Sequence, residues 1–377
     1  MSSATGADVA GRAARLAADM RERGVDVLLV ATHVNVRYLT GFTGTNGLTL
    51  IVAEKFDSRP PHRFFTDFRY AAQSAAQVPD EFDRKIAAGD LLEAAVRALS
   101  SFGNAAGRRL GFDDASVTVK QHARLAELLG AEWELVPCAG AVEQLRAVKD
   151  AGEIDRIRGA AELADEALQG VLEAGVVHRT ERDVAIELEL RMRRLGAEAP
   201  SFPSIVAAGA HGALPHAEPR AREIHRDALL TIDWGALHEG YCSDCTRTYA
   251  TGERISARAR EIYELVRSAQ EQALAAVKAG PSGRELDRVA RELIEQAGHG
   301  EHFGHGLGHG VGLEVHEGPR LSRLAGEEPL QVGNVVTVEP GVYLPGRLGV
   351  RIEDLVAITE DGQEILSRLG KELTVVS

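Results

Sequence analysis

Two apolar runs in the second half of the chain each end in a carboxylate, and each is followed shortly by another acid. Leu229-Leu-Thr-Ile-Asp233 leads through Gly235 and Gly240 to Tyr241-Cys-Ser-Asp244. Val335-Val-Thr-Val-Glu339 leads through Leu344-Pro-Gly-Arg-Leu348 to Val350-Arg-Ile-Glu353. Runs such as LLTI and VVTV read as buried strands, where an unpaired carboxylate is costly. A hairpin centred on His238-Glu239 sets Asp233 directly opposite Asp244. One centred on Gly346 sets Glu339 opposite Glu353, with Pro340 able to shift that register through a bulge. Opposed like charges need a counter-charge, and a divalent cation supplies one. The pattern therefore predicts a carboxylate-lined metal site rather than four solvated acids.

The segment His302–Gly318, HFGHGLGHGVGLEVHEG, adds four histidines at 302, 305, 309 and 316. It is not H-E-x-x-H, and glycines at 304, 306, 308, 310 and 312 oppose a helix. They suit an extended segment passing close to other groups. His309 and His316 fall on opposite faces of a regular strand, so a bend or bulge is needed to aim both at one site. His216, in ALPHAEP, is a weaker signal on its own. Cys242 and Cys245 form a C-x-x-C pair, but strand alternation sends them to opposite faces and opposes a joint clip. Thr246 shares the face of Asp244 and is expected to orient it.

The chain of 377 residues is longer than one core usually holds, so two domains are expected. Strands at Val25–Val30, Leu48–Ala53 and Phe64–Thr66, with helices at 9–24, Leu91–Leu99 and Val119–Leu129, predict a small α/β domain over residues 1–138. The glycine-rich Tyr38–Gly47 matches no phosphate-loop spacing and is expected to be a turn-rich connection. Over 139–377, helices at Ala141–Ala174, 180–195, 263–279 and 284–297 surround strands at Leu229–Trp234, Tyr241–Tyr249, Val335–Glu339 and Val350–Ile358. That grouping predicts an α+β domain. Thr180-Glu-Arg-Asp183 has the form of a capping box.

Charge sets limits on partners. The net charge is −13, with 16 basic and 17 acidic residues in 1–140 and 27 and 39 in the remainder. An acidic chain argues against nucleic acid as a partner. No apolar run is long enough for a membrane span and no leader is evident, so a cytoplasmic protein is expected. Three cysteines are too few for a disulfide framework.

Together these pieces resemble the pita-bread metallopeptidases of the methionine aminopeptidase, prolidase and creatinase superfamily. The order D-x10-D at Asp233 and Asp244, HGVGLEVHE at His309–Glu317, EPG at Glu339 and RIED at Arg351–Asp354 matches. NVRYLTGFTGTNG, TDFRY and LRAVKDAGEI look like the N-terminal domain and linker of the proline-specific branch. The resemblance implies a pita-bread catalytic domain behind a creatinase-type α/β domain. It implies an Xaa-Pro aminopeptidase or, alternatively, an Xaa-Pro dipeptidase (prolidase), acting on proline-containing peptides through water activated between two divalent metal ions. Carried over by motif, the ligands are Asp233, Asp244, His309, Glu339 and Glu353. Glu339 also shuttles the proton, while His216, His305 and His316 line the cleft and, with Arg351, bind substrate. Mostly oxygen ligands with one imidazole suit Mn²⁺, although Co²⁺, Fe²⁺ or Zn²⁺ could bind. The resemblance also implies a homodimer. A creatinase-like amidinohydrolase and a non-catalytic binding protein share the fold, but the filled ligand positions argue against both.

Overall fold

The computed structural model describes residues 9–53, 62–100 and 107–377. It divides into two compact units, Met1–Arg146 and Ala147–Ser377. The division falls later than the expected 138/139. Ala141 and Val142 are buried, and Arg146 donates to Asn35 Oδ1 at 2.8 Å, which ties the helix Ala141–Ala147 to the first unit.

The first unit is built on six strands, in spatial order Phe82–Ala87, His62–Asp67, Gly47–Val52, Val27–Val30, Arg108–Phe112 and Trp133–Pro137. Both pairings of Gly47–Val52 are antiparallel and the others are parallel. The helices Leu91–Leu99 and Val119–Leu129 seal one core through Ala95, Leu99, Leu125 and Leu129 against Leu29, Leu50 and Phe65. Within Tyr38–Gly47 a helix stops at Gly41, whose φ of 70° ends it in the left-handed region before the next strand starts.

In the second unit, the helix expected over Ala141–Ala174 is two helices, Ala141–Ala147 and Ala151–Glu173. Asp150 interrupts it. Its Oδ1 accepts from Glu153 N at 2.9 Å, and Glu153 Oε2 accepts from Asp150 N at 3.0 Å, a capping box that restarts the chain as a new helix. The helices Ala151–Glu173 and Glu181–Leu195 cover an antiparallel sheet of Cys245–Ala250, Leu229–Trp234 and Ile205–Ala208. Leu168, Leu188, Ile232 and Trp234 form that core. A second pair, Ala257–Ala276 and Gly283–Gln296, packs Ile262, Val266 and Ile294 against Val336 and Val356. Those last residues belong to a five-stranded sheet in the order Glu317–Leu321, Gly308–Gly310, Val335–Val338, Asp354–Thr359, Gly362–Ile365. No helix of the described residues is long and apolar enough to cross a membrane.

Candidate metal centre

Both acid-bearing hairpins form, and both are broken at their acids. In the first, His238 pairs with Tyr241, so the turn is Glu239-Gly240 rather than His238-Glu239. Both turn residues have positive φ, 49° and 83°, the requirement of a type I′ turn. The shift sets Asp233 opposite Thr246, not Asp244. Because it moves the register by two, Asp244 keeps its face and lies diagonal to Asp233. The strand expected over Tyr241–Tyr249 is split into Tyr241–Cys242 and Cys245–Ala250, with Asp244 in the gap. In the second hairpin Val338 pairs with Asp354 and Gly341 with Arg351. That register sets Glu339 and Glu353 at matching positions where the ladder is interrupted beside Pro340, in line with the centre at Gly346.

Side-chain oxygens of Asp233, Asp244 and Glu353 lie within 4.8 Å of one another. His309 Nε2 comes to 3.4 Å from Glu339 Oε1 and 3.6 Å from Asp244 Oδ2. All five candidate ligands therefore share one site. The histidine arrives on Gly308–Gly310, which threads between other backbones. A Cβ at Gly308 would stand 2.0 Å from Thr337 O, and one at Gly310 would stand 2.1 Å from Gly318 O. The register slips between His309 and Gly310. This is the irregularity the seven-residue spacing demanded, and it brings the His309 and His316 rings to 4.3 Å.

The electrostatics of these groups do not close on protein atoms. Burial, then the charges of Glu353 and Asp233, hold the Asp244 carboxyl well above the ordinary carboxylate range. Burial, then Glu339 and Asp233, do the same to Glu353. Burial also raises Glu339. Among the described residues, Asp233 Oδ1 and Glu353 Oε1 are buried oxygens without a hydrogen-bond donor. His309 Nδ1 faces Gly310 O at 3.0 Å, so that nitrogen carries the proton. Its Nε2 lone pair then points at two carboxylates, a contact that no hydrogen bond explains. Orphaned oxygens and a lone pair aimed at one point are what divalent cations require, and the donor set fits them.

The surrounding residues fix these donors. Arg351 is buried and donates to Asp233 Oδ2 at 2.6 Å, Thr246 Oγ1 at 3.0 Å and the Tyr343 hydroxyl at 2.8 Å. It lines the cavity, yet its donors are spent on protein. Thr246 Oγ1 donates to Glu353 Oε2 at 2.7 Å, so it orients Glu353 and not Asp244 as expected. Thr337 Oγ1 donates to Glu339 Oε1 at 3.1 Å. His305 Nδ1 donates to Gly306 O at 2.8 Å, leaving Nε2 to accept from Tyr343 at 3.0 Å. No motif or spacing marks Tyr343 or Thr337. A cavity of about 510 Å³ opens on the cluster. His216, His305 and His316 line it, and Phe202, Pro203 and Pro215 form an apolar wall. His302 lies apart, its Nδ1 3.2 Å from that of His299. Cys242 packs with Val311 and Leu355, whereas Cys245 packs with Trp234 and Tyr249 in a separate core.

With this geometry in view, comparison with known proteins is decisive. Residues 155–360 match the model of metallopeptidase family M24, and residues 12–148 match the creatinase/prolidase N-terminal domain. This chain belongs to metallopeptidase family M24. An Xaa-Pro dipeptidase of Pyrococcus horikoshii is 36% identical over 94% of this chain and 96% of its own length. Among solved structures, the Xaa-Pro dipeptidase from Bacillus anthracis superposes with a TM-score of 0.90 at 38% identity, covering 97% of this chain and 99% of its own. The X-Pro aminopeptidase from Thermotoga maritima superposes with a TM-score of 0.84 at 36% identity, covering 94% and 99%. The M24 fold is the pita-bread arrangement, here behind a creatinase-type domain.

Proposed function

We propose that this M24 enzyme hydrolyses Xaa-Pro peptide bonds with two divalent cations, manganese by preference, held by Asp233, Asp244, His309, Glu339 and Glu353. The observation that carries the reading is the convergence of those donors, with oxygens no protein group satisfies, on a cleft lined by three histidines. The relatives named for Xaa-Pro hydrolysis support the substrate class. Bound divalent cations would supply Lewis-acid polarisation and an acidified water near neutral pH.

The chain's own groups do the rest. Glu339 holds the proton of the attacking water and delivers it to the departing proline nitrogen. His316 and His216 donate to the scissile carbonyl oxygen as negative charge develops there. Tyr343 fixes the His305 ring against the cleft, and Arg351 holds Asp233 in place. The apolar wall excludes water around the proline ring.

Metal content measured beside hydrolysis of Ala-Pro and Ala-Pro-Ala, with and without Mn²⁺, tests this. Cleavage of the tripeptide identifies the aminopeptidase, our first reading. Cleavage of the dipeptide alone identifies the dipeptidase, which relatives of that name favour comparably. No hydrolysis of either by a metal-replete sample sinks both. The homodimer implied by the family is checked by light scattering.

A further inference from the structure

Of the carboxylates lining the cleft, all but one touch a neighbouring side chain. Asp233 is held by Arg351, Glu353 by Thr246, Glu339 by Thr337, and Asp244 lies against His309. One carboxylate lining the same cavity has no such tie. Glu218 is exposed, and among the described residues no hydrogen bond or ion pair holds its side chain. No motif marks it.

Its backbone, in contrast, is fixed. The preceding Ala217 is 2% exposed, and Pro219 follows with its restricted φ. Arg220 N then donates to Glu181 Oε2 at 3.1 Å. Glu181 is itself buried at the start of its helix and also accepts from Ala208 N at 3.0 Å and His211 Nδ1 at 2.9 Å. Glu181 thus clamps both ends of the segment 208–220 that carries His216 and Glu218. A carboxylate on a clamped loop, lining a substrate cleft and bound to nothing, has its charge available for the substrate.

We propose that Glu218 is a specificity-determining residue that selects a cationic group on the peptide. This deepens the Xaa-Pro reading and rests on it. Two sources share that chemistry, the substrate's α-ammonium and a basic side chain on the residue before proline. An exposed carboxylate pairs through a screened contact, so the effect is modest and salt-dependent.

Manganese-loaded full-length enzyme is assayed on Lys-Pro and norleucyl-Pro, each also extended by alanine, in wild type and Glu218→Gln. If the side chain is the cation, the Lys-to-norleucine ratio of kcat/KM falls about two- to fivefold in the variant, the range of an exposed ion pair. If the α-ammonium is the cation, both substrates lose about that factor through KM and the ratio holds. In either case the difference from wild type shrinks at high ionic strength, which a merely structural role does not produce. Glu218→Lys moves the preference towards Glu-Pro. Kinetics identical to wild type in both variants overturn the proposal while leaving the Xaa-Pro reading intact. A wild-type enzyme that turns over no Xaa-Pro peptide overturns both.

Discussion

Glu353 and Asp354 are neighbours in sequence, each 1% exposed, and their surroundings are opposite. Asp354 accepts from Arg247 at 2.8 Å, Lys371 at 2.6 Å, Gln270 at 2.9 Å and Ser367 at 3.0 Å. Burial acts to raise its carboxyl, but Arg247 and Lys371 outweigh burial and leave it below the ordinary range. Among the described residues the Glu353 carboxylate has one donor, Thr246, and its second oxygen has none. Its carboxyl is pushed well up. Depth in the protein is the same for both, so depth does not separate a structural carboxylate from a functional one. The count of donors does. Asp354 is complete within the protein and ties the C-terminal residues Ser367 and Lys371 to the sheet. Glu353 is left open to the cleft.

The sharpest way to break this contrast is to remove an acid from each side. Asp244→Ala is expected to abolish hydrolysis and to lower bound metal measured by atomic absorption. Normal turnover would show that the ligands are wrongly chosen. In chelator-stripped protein the stability outcome reverses: Asp244→Asn removes repulsion with Glu353 and Asp233 and should melt no lower than stripped wild type. The pH slopes follow the same division. Carboxyls whose folded pKa is raised bind protons on folding, so Asp244 and Glu353 make stripped protein less stable as pH rises above the ordinary carboxylate range. Cations compete with those protons, so the melting gap between loaded and stripped enzyme should widen from acid to neutral pH. Asp354, with its pKa lowered, stabilises at neutral pH and loses that contribution as pH falls.

Asp354→Ala tests the closed side. Removing it leaves the buried Arg247 and the Lys371 ammonium without their carboxylate. A loss of about 3–5 kcal/mol in urea unfolding is expected, as for a broken buried pair. A loss under about 1 kcal/mol would place Asp354 with the weak surface pairs and undo the contrast.

Much of this division was legible in advance, and the parts that were not share a cause. Apolar runs and turn residues located both acid hairpins, and the run of glycines announced a segment squeezed between backbones. The register of the first hairpin differs by two from that expected because the turn centre depends on which residue accepts positive φ. Glu239 does so beside Gly240, against the usual preference. Alternation has a period of two, so the error kept every acid on its face while assigning the wrong cross-strand partner. Thr246 therefore serves Glu353 rather than the expected Asp244. The helix break at Asp150 hid behind good helix formers on both sides, although the D-x-x-E of its capping box was present. Two partners of Arg351, Pro215 and Asp233, come from distant segments, and local pattern carries no trace of them.

Thr246 sharpens the comparison at smaller scale. Its hydroxyl is the one protein donor to the Glu353 carboxylate among the described residues, and it receives Arg351 Nε. Thr246→Val keeps the shape and removes that bridge. Supporting hydrogen bonds of this kind are worth about 10–100-fold in metal affinity or activity. The expected result is that loss with little change in the unfolding midpoint. A destabilisation as large as that of Asp354→Ala would mean that Thr246 belongs to the closed network.

The smallest effect is expected where the sequence looked most suggestive. Cys242 and Cys245 are both buried and in no disulfide, on either side of Asp244, but they face different cores. Burial holds the Cys245 thiol well above its usual pKa, and its side chain packs beside Trp234 and Tyr249. Its sulfur donates to Glu353 O at 3.3 Å, a contact a serine hydroxyl can reproduce. Cys242 lies 3.9 Å from Leu313 O, a weak contact that serine can forgo. The double Cys→Ser variant should therefore keep its metal and turn over within about threefold of wild type, the cost of two buried polar replacements falling mainly on stability. Metal analysis of that variant separates the readings: loss of a cation would move the site from the carboxylate in the middle of C-S-D-C to the thiols that flank it.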